Sequence, residues 1–407
     1  MSNRVPERWS VSTIGDTCDV LDSKRIPLNS QDRALRQGIY PYYGANGIQG
    51  YIDDFIFEGE HVLLAEDGGY FDEWDSRPIS YLVTGRFWVN NHAHILRARP
   101  GHETRYVHYS LVHKNILRHI NGGTRAKLNQ SDMREIPYLT PPLPEQQKIA
   151  AILSSVDDVI EKTRAQIDKL KNLKTGMMQE LLTKGVGHVE FKDSPVGRIP
   201  VSWKIQSLKS LCRRITDGTH QSVKTSDSGK IPFLYVSCIR NGEILWDKAA
   251  GLTESEYKLA SKGRVASPGD ILFTAVGSYG HAALVETDQR FSFQRHIAFI
   301  QPDKSTVDPR FLVSVLNSTL GRKQANRFAI GNAQLTVTLG DLGTFMIPTP
   351  PLHEQHKIAN TISAIVSNIH EHETKLDSSL NLKKALMQDL LTGKVRVNVT
   401  EKATAVA

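Results

Sequence analysis

One short segment that decides the fold occurs twice in this chain. PPLPEQQKIA occupies residues 141–150, and PPLHEQHKIA occupies residues 350–359. A second matched pair follows, because LKNLKTGMMQELLTKG at 170–185 returns as SLNLKKALMQDLLTGK at 379–394. Both pairs are 209 residues apart. Solenoid repeats are much shorter, so this spacing indicates one duplicated module of about 200 residues.

The duplication extends upstream in weaker form. EGEHVLLAEDGG at 58–69 resembles PGDILFTAVGSY at 268–279, and VPERW at 5–9 resembles IPVSW at 199–203. The order along the chain is therefore a variable module, a nearly unchanged segment, and then both again. Such a chain acquires an approximate two-fold axis, which duplex DNA also has between its strands. Simple enlargement of a scaffold by duplication is the alternative.

The repeated segments have the pattern of long helices. Pro144 suits a first helical turn. Gly185 and Gly393 follow as stop signals. Apolar residues recur at spacings of four and three, which is the pattern of a coiled-coil seam. The seam consists of Ile149, Leu153, Val156, Ile160, Thr163, Ile167 and Leu170, matched by Ile358, Ile362, Ile365, Ile369, His372, Leu376 and Ser379.

The predicted fold is α+β. Two mixed α/β, β-rich modules are joined by two long antiparallel coiled-coil helices with pseudo-two-fold symmetry. Each helix of about 40 residues is about 60 Å long, enough to set a spacing between two readers on one face of a duplex. The predicted boundaries are a first module at 1–143, a central spacer helix at 144–185, a second module at 186–349, a distal spacer helix at 350–394 and a C-terminal tail at 395–407.

Composition narrows the class of protein. Three scattered cysteines argue against a disulfide framework, and no apolar run has the length of a membrane span. We therefore expect a cytoplasmic protein. The net charge of +7 is unevenly spread: residues 199–349 hold 18 basic and 12 acidic residues, whereas residues 1–143 hold 16 and 17. The second module is thus the better candidate for phosphate contacts.

Loops in both modules carry the side chains that read nucleic acid. Base edges are contacted by Arg, Lys, Asn and Gln, and phosphates by these and by Ser, Thr and backbone N–H groups. Loops on a rigid β scaffold are a common position for such residues. The candidate DNA-binding residues are Asn46, Arg97, Arg125, Lys127, Thr219, His220, Lys224, Tyr279, Arg295, His296 and Gln334.

A catalytic motif is absent from the sequence. It contains no phosphate-binding G-x-x-x-x-G-K-[ST], no H-E-x-x-H and no G-x-S-x-G. The histidines of HAH at 92–94 have no carboxylate or cysteine at ligand spacing, so we predict no metal site. We expect a chain with no catalytic residues and no cofactor of its own. An enzyme with its active site in one of the two modules is the alternative.

Taken together, the pattern resembles the specificity subunit of Type I restriction-modification systems, over the whole chain. The most specific motifs are PPL-x-EQ-x-KIA and the duplicated MMQELLT and LMQDLLT helix ends. DGTH at 217–220, PGDIL at 268–272, GANGIQGYID at 44–53 and NNHAH at 90–94 are also typical of that family. The resemblance implies two target recognition domains, each reading one half of a bipartite asymmetric site.

The resemblance also implies partners. Two methyltransferase subunits would bind the spacer helices and use S-adenosylmethionine, and restriction subunits would add ATP- and Mg-dependent reactions. The predicted partner-binding residues are Glu145, Gln146, Lys148, Glu354, Gln355 and Lys357. An acidic cluster at residues 53–75 departs from a simple DNA-binding surface. A coiled-coil scaffold without sequence-specific DNA binding remains the rival hypothesis.

Overall fold

The computed structural model describes residues 5–122, 126–240 and 242–399. The chain falls into two compact units. Unit 1 contains residues 1–164 and 374–407, and unit 2 contains residues 165–373. Each unit therefore combines one module with parts of both long helices, because the division cuts through the helices and not at their ends.

Unit 1 is a β-rich module with helices on one side. Its strands are β1 (Ser10–Thr13), β2 (Cys18–Val20), β3 (Tyr40–Gly44), β4 (Gly47–Ile52), β5 (Phe57–Glu58), β6 (His61–Ala65), β7 (Ser80–Val83), β8 (Arg86–Val89), β9 (Ala93–Ala98), β10 (Ile120–Asn121), β11 (Lys127–Leu128) and β12 (Pro137–Thr140). Its helices are α1 (Ile14–Thr17), α2 (Ser30–Leu35), α3 (Thr104–Leu111), α4 (Gln130–Arg134), the first part of α5 (Leu143–Lys184) and the last part of α10 (Leu352–Leu390).

The central sheet of unit 1 has the strand order β2-β9-β6-β7 and is antiparallel. A second sheet, β4-β3-β8-β5, contains the parallel pair β3–β8. Strand β6 is buried on both faces, since Val62 and Leu64 join the core beneath α3 and α5 while Leu63 joins the core shared with the second sheet. The central sheet therefore lies between a helical layer and a second β layer.

Unit 2 repeats this architecture. Its strands are β13 (Phe191–Lys192), β14 (Ile199–Pro200), β15 (Lys204–Ser207), β16 (Cys212–Asp217), β17 (Ile231–Leu234), β18 (Ile239–Arg240), β19 (Glu243–Ile244), β20 (Ala250–Leu252), β21 (Ile271–Thr274), β22 (Ala282–Leu284), β23 (Ser292–Phe293), β24 (Ile297–Pro302) and β25 (Met346–Thr349). Its helices are α6 (Glu254–Ala260), α7 (Pro309–Asn317), α8 (Thr319–Phe328), α9 (Leu339–Gly343) and the remaining parts of α5 and α10.

The sheets of unit 2 follow the same plan. The central sheet is β16-β24-β21-β22, and the second sheet, β20-β17-β23, again contains a parallel pair, β17–β23. In β21, Ile271 and Phe273 face the helical core, while Leu272 faces the second sheet. The alternation of strand residues between two cores is thus the same in both copies, as expected for a duplicated module.

Inside each unit the two long helices run antiparallel. In unit 1, Lys383 Nζ lies 2.6 Å from a carboxylate oxygen of Asp157, so a late position of α10 meets an early position of α5. In unit 2, Lys171 Nζ lies 2.8 Å from Glu373, so a later position of α5 than Asp157 meets an earlier position of α10 than Lys383. These pairs agree with the predicted antiparallel arrangement.

The helix bounds lie close to those predicted. Helix α5 begins at Leu143 and ends at Lys184, one residue from the predicted bounds at each end, whereas α10 begins two residues after residue 350 and ends four before residue 394. Gly185 and Gly393 have φ values of +66° and +68°, so both adopt the left-handed conformation that ends a helix. Within the described ranges, no helix is long and apolar enough to span a lipid bilayer.

Candidate nucleic-acid interface

In unit 2, the candidate residues come together where strands of the central sheet meet their loops. The amide of Arg295 donates to the carbonyl of Thr219 at 3.1 Å, and the amide of Thr219 donates to the carbonyl of Phe293 at 3.0 Å. The DGTH loop that follows β16 therefore lies beside the turn that precedes β24. This contact joins two motifs that are about 75 residues apart in sequence.

Two further loops join them. The amide of Ala275 donates to the carbonyl of His296 at 2.9 Å, and the amide of Gly277 donates to the carbonyl of Leu335 at 2.8 Å. Hence the turn after β21 lies between the turn before β24 and the exposed loop that precedes α9. We call these four segments, residues 217–220, 276–280, 294–296 and 330–336, the reading loops of unit 2.

The side chains of these loops differ in exposure and in whether neighbouring residues hold them by hydrogen bonds. Arg295 and Gln334 are exposed, and His296 is half-buried. His220 is held in place, because its Nε2 lies 2.6 Å from Asp217 Oδ2. Tyr279 donates its hydroxyl to Asn326 Oδ1 at 3.2 Å. Arg295, whose Nε donates to His296 Nε2 at 3.4 Å, and Gln334 are exposed to solvent, whereas Tyr279 and His220 are bonded to Asn326 and Asp217.

The electrostatics of these loops favour an uncharged imidazole at His296. Burial, followed by the charge of Arg295, lowers the pKa of His296 below its usual value. Burial and the guanidinium of Arg322 act in the same direction on the pKa of His281. A neutral imidazole can donate one hydrogen bond and accept another, which suits the mixed donor and acceptor pattern of a base edge.

Unit 1 has a matching set of loops. Asn46 Nδ2 donates to the carbonyl of Gly68 at 2.8 Å, and Asn90 Nδ2 donates to Gln49 Oε1 at 3.1 Å. We call residues 45–50, 66–69, 90–92 and 126–130 the reading loops of unit 1. Three of them correspond to loops of unit 2, because 66–69 follow β6 as 276–280 follow β21, 90–92 precede β9 as 294–296 precede β24, and 126–130 lead into α4 as 330–336 lead towards α9. The fourth differs, since 45–50 contain the β3–β4 turn, whereas 217–220 follow β16.

Two predicted residues of the described ranges, Arg97 and Lys224, do not join these loops. Arg97 lies near the far end of β9, where its guanidinium is 3.2 Å from Asp19. Lys224 lies in the segment beside α6, with its amide donating to Glu256 at 3.2 Å. Arg125 lies outside the described residues. Lys127 does reach the loops of unit 1, but its Nζ is 3.2 Å from Glu66.

No local sequence pattern predicts the buried ionic cluster that lies beneath the loops of unit 1. His94 is 1% exposed, and its Nδ1 lies 2.6 Å from Asp22 Oδ2. Its Nε2 lies 2.9 Å from the carbonyl of Leu128. Arg25 donates to Glu66 at 2.7 Å beside them. Asp22 is not at ligand spacing from His94 in the sequence, because it lies 72 residues earlier in the chain, and only folding brings the two side chains together.

This cluster does not fit a metal ion. Asp22, Glu66 and His94 do bring potential ligand atoms within 4.8 Å of one another. Both ring nitrogens of His94 are already hydrogen-bonded, however, to Asp22 and to the carbonyl of Leu128, and Arg25 adds a fixed positive charge. Burial alone would raise the pKa of Asp22, but hydrogen bonds from His94, Gln130 and a backbone amide hold that pKa below its usual value. The cluster therefore fastens the loop around Leu128 to the sheet.

Two of the predicted partner-binding residues, Glu145 and Glu354, are buried and hydrogen-bonded inside the chain. Glu145 is 9% exposed and accepts from Trp9 Nε1 at 3.2 Å and from Arg396 Nη2 at 2.6 Å. Glu354 is 5% exposed and accepts from Trp203 Nε1 at 3.1 Å. In both units this glutamate at the start of a long helix is thus joined to a buried tryptophan.

The neighbouring glutamines are also buried. Gln146 accepts from the amide of Glu103 at 2.9 Å, and Gln355 accepts from the amide of Asp308 at 2.8 Å. The geometry contradicts a partner-binding role for the glutamates and glutamines of both motifs, because their polar atoms are already bonded inside the chain. Lys148 and Lys357 are exposed, and their role in partner binding stays a prediction.

Much of the acidic cluster of unit 1 is neutralised locally by arginine. Asp53 lies 2.9 Å from Arg36, and Glu58 lies 3.0 Å from Arg86. Ion pairs of this kind reduce the negative potential that residues 53–75 suggest from sequence alone.

Comparison with known proteins agrees with this architecture. A family model described as Type I restriction modification DNA specificity domain matches residues 6–172 and 200–381. The MjaVIII specificity subunit of Methanocaldococcus jannaschii is 28% identical over 97% of this chain and 94% of its own length. The specificity subunit S.HindORF215P of Haemophilus influenzae, described as putative, is 26% identical over 86% of this chain and 85% of its own length.

A solved structure shows the same fold. The S subunit of a Type I restriction-modification system from M. genitalium superposes with a TM-score of 0.64 at 14% identity, covering 98% of each chain. The two family matches together span most of the chain, and each contains one set of reading loops. This chain therefore belongs to the Type I restriction-modification DNA specificity family and is a specificity subunit with two target recognition domains.

Proposed function

We propose that the reading loops of each unit contact the bases of duplex DNA, so that each unit recognises one half of a bipartite asymmetric site. One observation carries this proposal: loops far apart in sequence converge at one edge of the central sheet, and they do so at the same place in both units. Convergence of several loops on a rigid sheet is the usual construction of a recognition surface.

The chemistry of the loops supports base contacts. An arginine pairs with two acceptors of guanine in the major groove, and a glutamine pairs with adenine. Arg295 and Gln334 are exposed on the two loops that flank residues 276–280, and His296, next to Arg295, is half-buried. In unit 1, Asn46 and Gln49 are exposed at the β3–β4 turn. Different side chains in the two units favour different half-sites.

For the long helices, we propose that they set the spacing between the half-sites and bind two methyltransferase subunits, with Lys148 and Lys357 among the contacts. Both lysines are exposed in the first turns of α5 and α10. The chain itself contributes no catalytic group in this proposal. The methyltransferase subunits use S-adenosylmethionine, and the restriction subunits use ATP and Mg²⁺.

The test changes two reading-loop residues and maps DNA methylation. The variant Arg295→Ala with His296→Ala, expressed with its partner subunits, should methylate sites with one or two relaxed positions in one half and an unchanged other half. Loss of a base contact of this kind costs about 1–3 kcal/mol of discrimination. Long-read methylome sequencing of the cells measures the result.

Arg290→Ala provides the matched control. Arg290 is exposed and lies five residues before Arg295, but its guanidinium is paired with Glu254 at 2.9 Å. This control should leave the methylated sequence unchanged. A methylome that is unaltered in the double variant would contradict base reading by these loops, and a wild-type methylome without any sequence preference would instead support a scaffold role.

A further inference from the structure

Helix α8 of unit 2 presents an unpaired basic face. Lys323, Asn326 and Arg327 are exposed, and their spacing of three and four places them on one side of the helix. Among the described residues, neither Lys323 nor Arg327 forms an ion pair within 4.0 Å. Residues 309–340 contain four basic and no acidic residues. Of these four, Arg310 is paired with Asp308, which lies just outside this stretch, whereas Lys323 and Arg327 keep exposed charges without an ion-pair partner among the described residues.

The opposite face of α8 is fixed to the core. Ala325 is fully buried, and Leu320 and Phe328 pack against the helical core of unit 2. Gln324 bonds both backbone groups of Met346 in β25, with its Nε2 donating at 3.0 Å and its Oε1 accepting at 2.7 Å. The basic side chains thus project from a helix whose position is set by packing and by two hydrogen bonds.

Helix α8 also adjoins the reading loops. Arg322 Nη1 donates to the carbonyl of Tyr279 at 2.6 Å, and the hydroxyl of Tyr279 donates to Asn326 Oδ1 at 3.2 Å. The chain passes from the end of α8 at Phe328 directly into the loop 330–336 that carries Gln334. The basic face and the base-reading side chains therefore belong to one continuous surface.

We propose that Lys323 and Arg327 of α8 contact the phosphates of the DNA backbone beside the half-site that unit 2 reads. This inference rests on the proposed function and extends it to a positioning surface outside the loops. Phosphate contacts fix the register of a protein on a duplex without reading its sequence. Two cations on a rigid helix next to base-reading loops are suited to that task, because each would displace condensed counterions.

Between α3 and β10, the described part of unit 1 contains no helix equivalent to α8. The described stretch between α3 and β10 contains only the short turn Leu117–His119, and Arg118 there points its Nε at His119, 3.0 Å away. The proposal therefore makes the two units unequal: unit 2 gains an electrostatic anchor that unit 1 lacks.

The salt dependence of binding tests this proposal. The full chain, assembled with its methyltransferase subunits, is titrated with a fluorescent duplex containing the methylome-defined target and with a scrambled duplex, from about 50 mM to about 200 mM salt. In Lys323→Gln with Arg327→Gln, affinity for both duplexes should fall by a similar factor. The slope of log K against log salt should decrease by about 1.8, which is about 0.9 for each lost contact.

Two control variants show whether the change in slope depends on the charge of the two side chains, on their shape or on their position in unit 2. The exchange Lys323→Arg with Arg327→Lys keeps both charges and should keep the wild-type slope. Lys192→Gln with Arg198→Gln removes two exposed cations from the β13–β14 hairpin of unit 2, where Lys192 bonds the carbonyl of Val201 at 2.7 Å. This control should also keep the slope. Thermal melting confirms that each variant folds as the wild type does.

The outcomes distinguish the two proposals. A wild-type complex that binds target and scrambled duplex equally would reject the proposed function. A wild-type complex that discriminates, combined with an unchanged slope in Lys323→Gln with Arg327→Gln, would reject the role of α8 alone. A loss confined to the target duplex would also overturn it, because a phosphate contact weakens binding to any sequence.

Discussion

At the scale of single residues, both copies contain a buried carboxylate at the start of the long helix, and the partner supplied from after the other helix differs. Glu145 and Glu354 each accept from a tryptophan indole, but Arg396 completes the first site and His188 completes the second at 2.8 Å. A carboxylate removed from water needs charged or multiple hydrogen-bond partners. The residues that follow each long helix supply them, so the segment after α10 is part of the fold of unit 1.

Removal of this cation should destabilise unit 1. In Arg396→Ala, Glu145 keeps the indole of Trp9 but loses two charge-assisted hydrogen bonds of 2.6 and 3.0 Å. We expect the free energy of unfolding to fall by about 1–3 kcal/mol, measured by urea denaturation. Lys394→Ala serves as control, since Lys394 is 75% exposed, and it should change stability by at most about 0.5 kcal/mol. Equal effects of both variants would argue against the buried pair.

At the scale of elements, the central sheet and the long helices have different tasks. The sheet is buried on both faces and holds the loops at its edge, as the separation of Leu63 from Val62 and Leu64 into two cores shows. Helices α5 and α10 each begin in one unit and end in the other. Their length is therefore a property that can be changed without altering a recognition loop.

Lengthening both helices should widen the unspecified spacer in the DNA target. One heptad inserted in the 160–175 region of α5, with one inserted at the paired region of α10, keeps the seam in register. Seven residues add about 10 Å of helix, or about three base pairs at 3.4 Å each. The methylome should show unchanged half-sites with a longer spacer, and Lys169→Ala, which alters no length, should show the original one. An unchanged spacer in the lengthened chain would refute the ruler function.

At the scale of the whole molecule, the two units share an architecture and differ in charge. Many acidic side chains of unit 1 form ion pairs with arginines such as Arg36 and Arg86. Unit 2 carries the net excess of +6 in residues 199–349 and presents part of it on α8. Recognition by the two halves is therefore expected to depend on salt to different degrees.

Exchange of a whole module tests the independence of the two halves. Replacement of residues 1–143 by the same module of a relative should alter one half of the methylated sequence and leave the other half unchanged. The physical reason is that unit 2 has its own central sheet, core and reading loops. The methylome is again the measurement. A change in both halves would contradict two independent readers, and Lys394→Ala, at an exposed side chain, should change neither half.

The sequence by itself determined the duplication, the long helices and the family, because these depend on local signals. Apolar spacing defines a coiled-coil seam, and glycines such as Gly185 and Gly393 end helices wherever they are placed. It also singled out several of the segments that fold together at the edge of each central sheet. A residue's type and its position in a motif carry this information without any knowledge of distant neighbours.

Only the tertiary structure decided which polar residues are free to act. Glu145 and Gln146 look like surface residues of an amphipathic helix, yet both are bonded inside the chain. Asp22 and His94 are 72 residues apart and meet in the interior, while Lys323 and Arg327 remain exposed. The reason is that availability depends on which long-range partners arrive, and long-range pairing is a property of the folded chain rather than of any local sequence pattern.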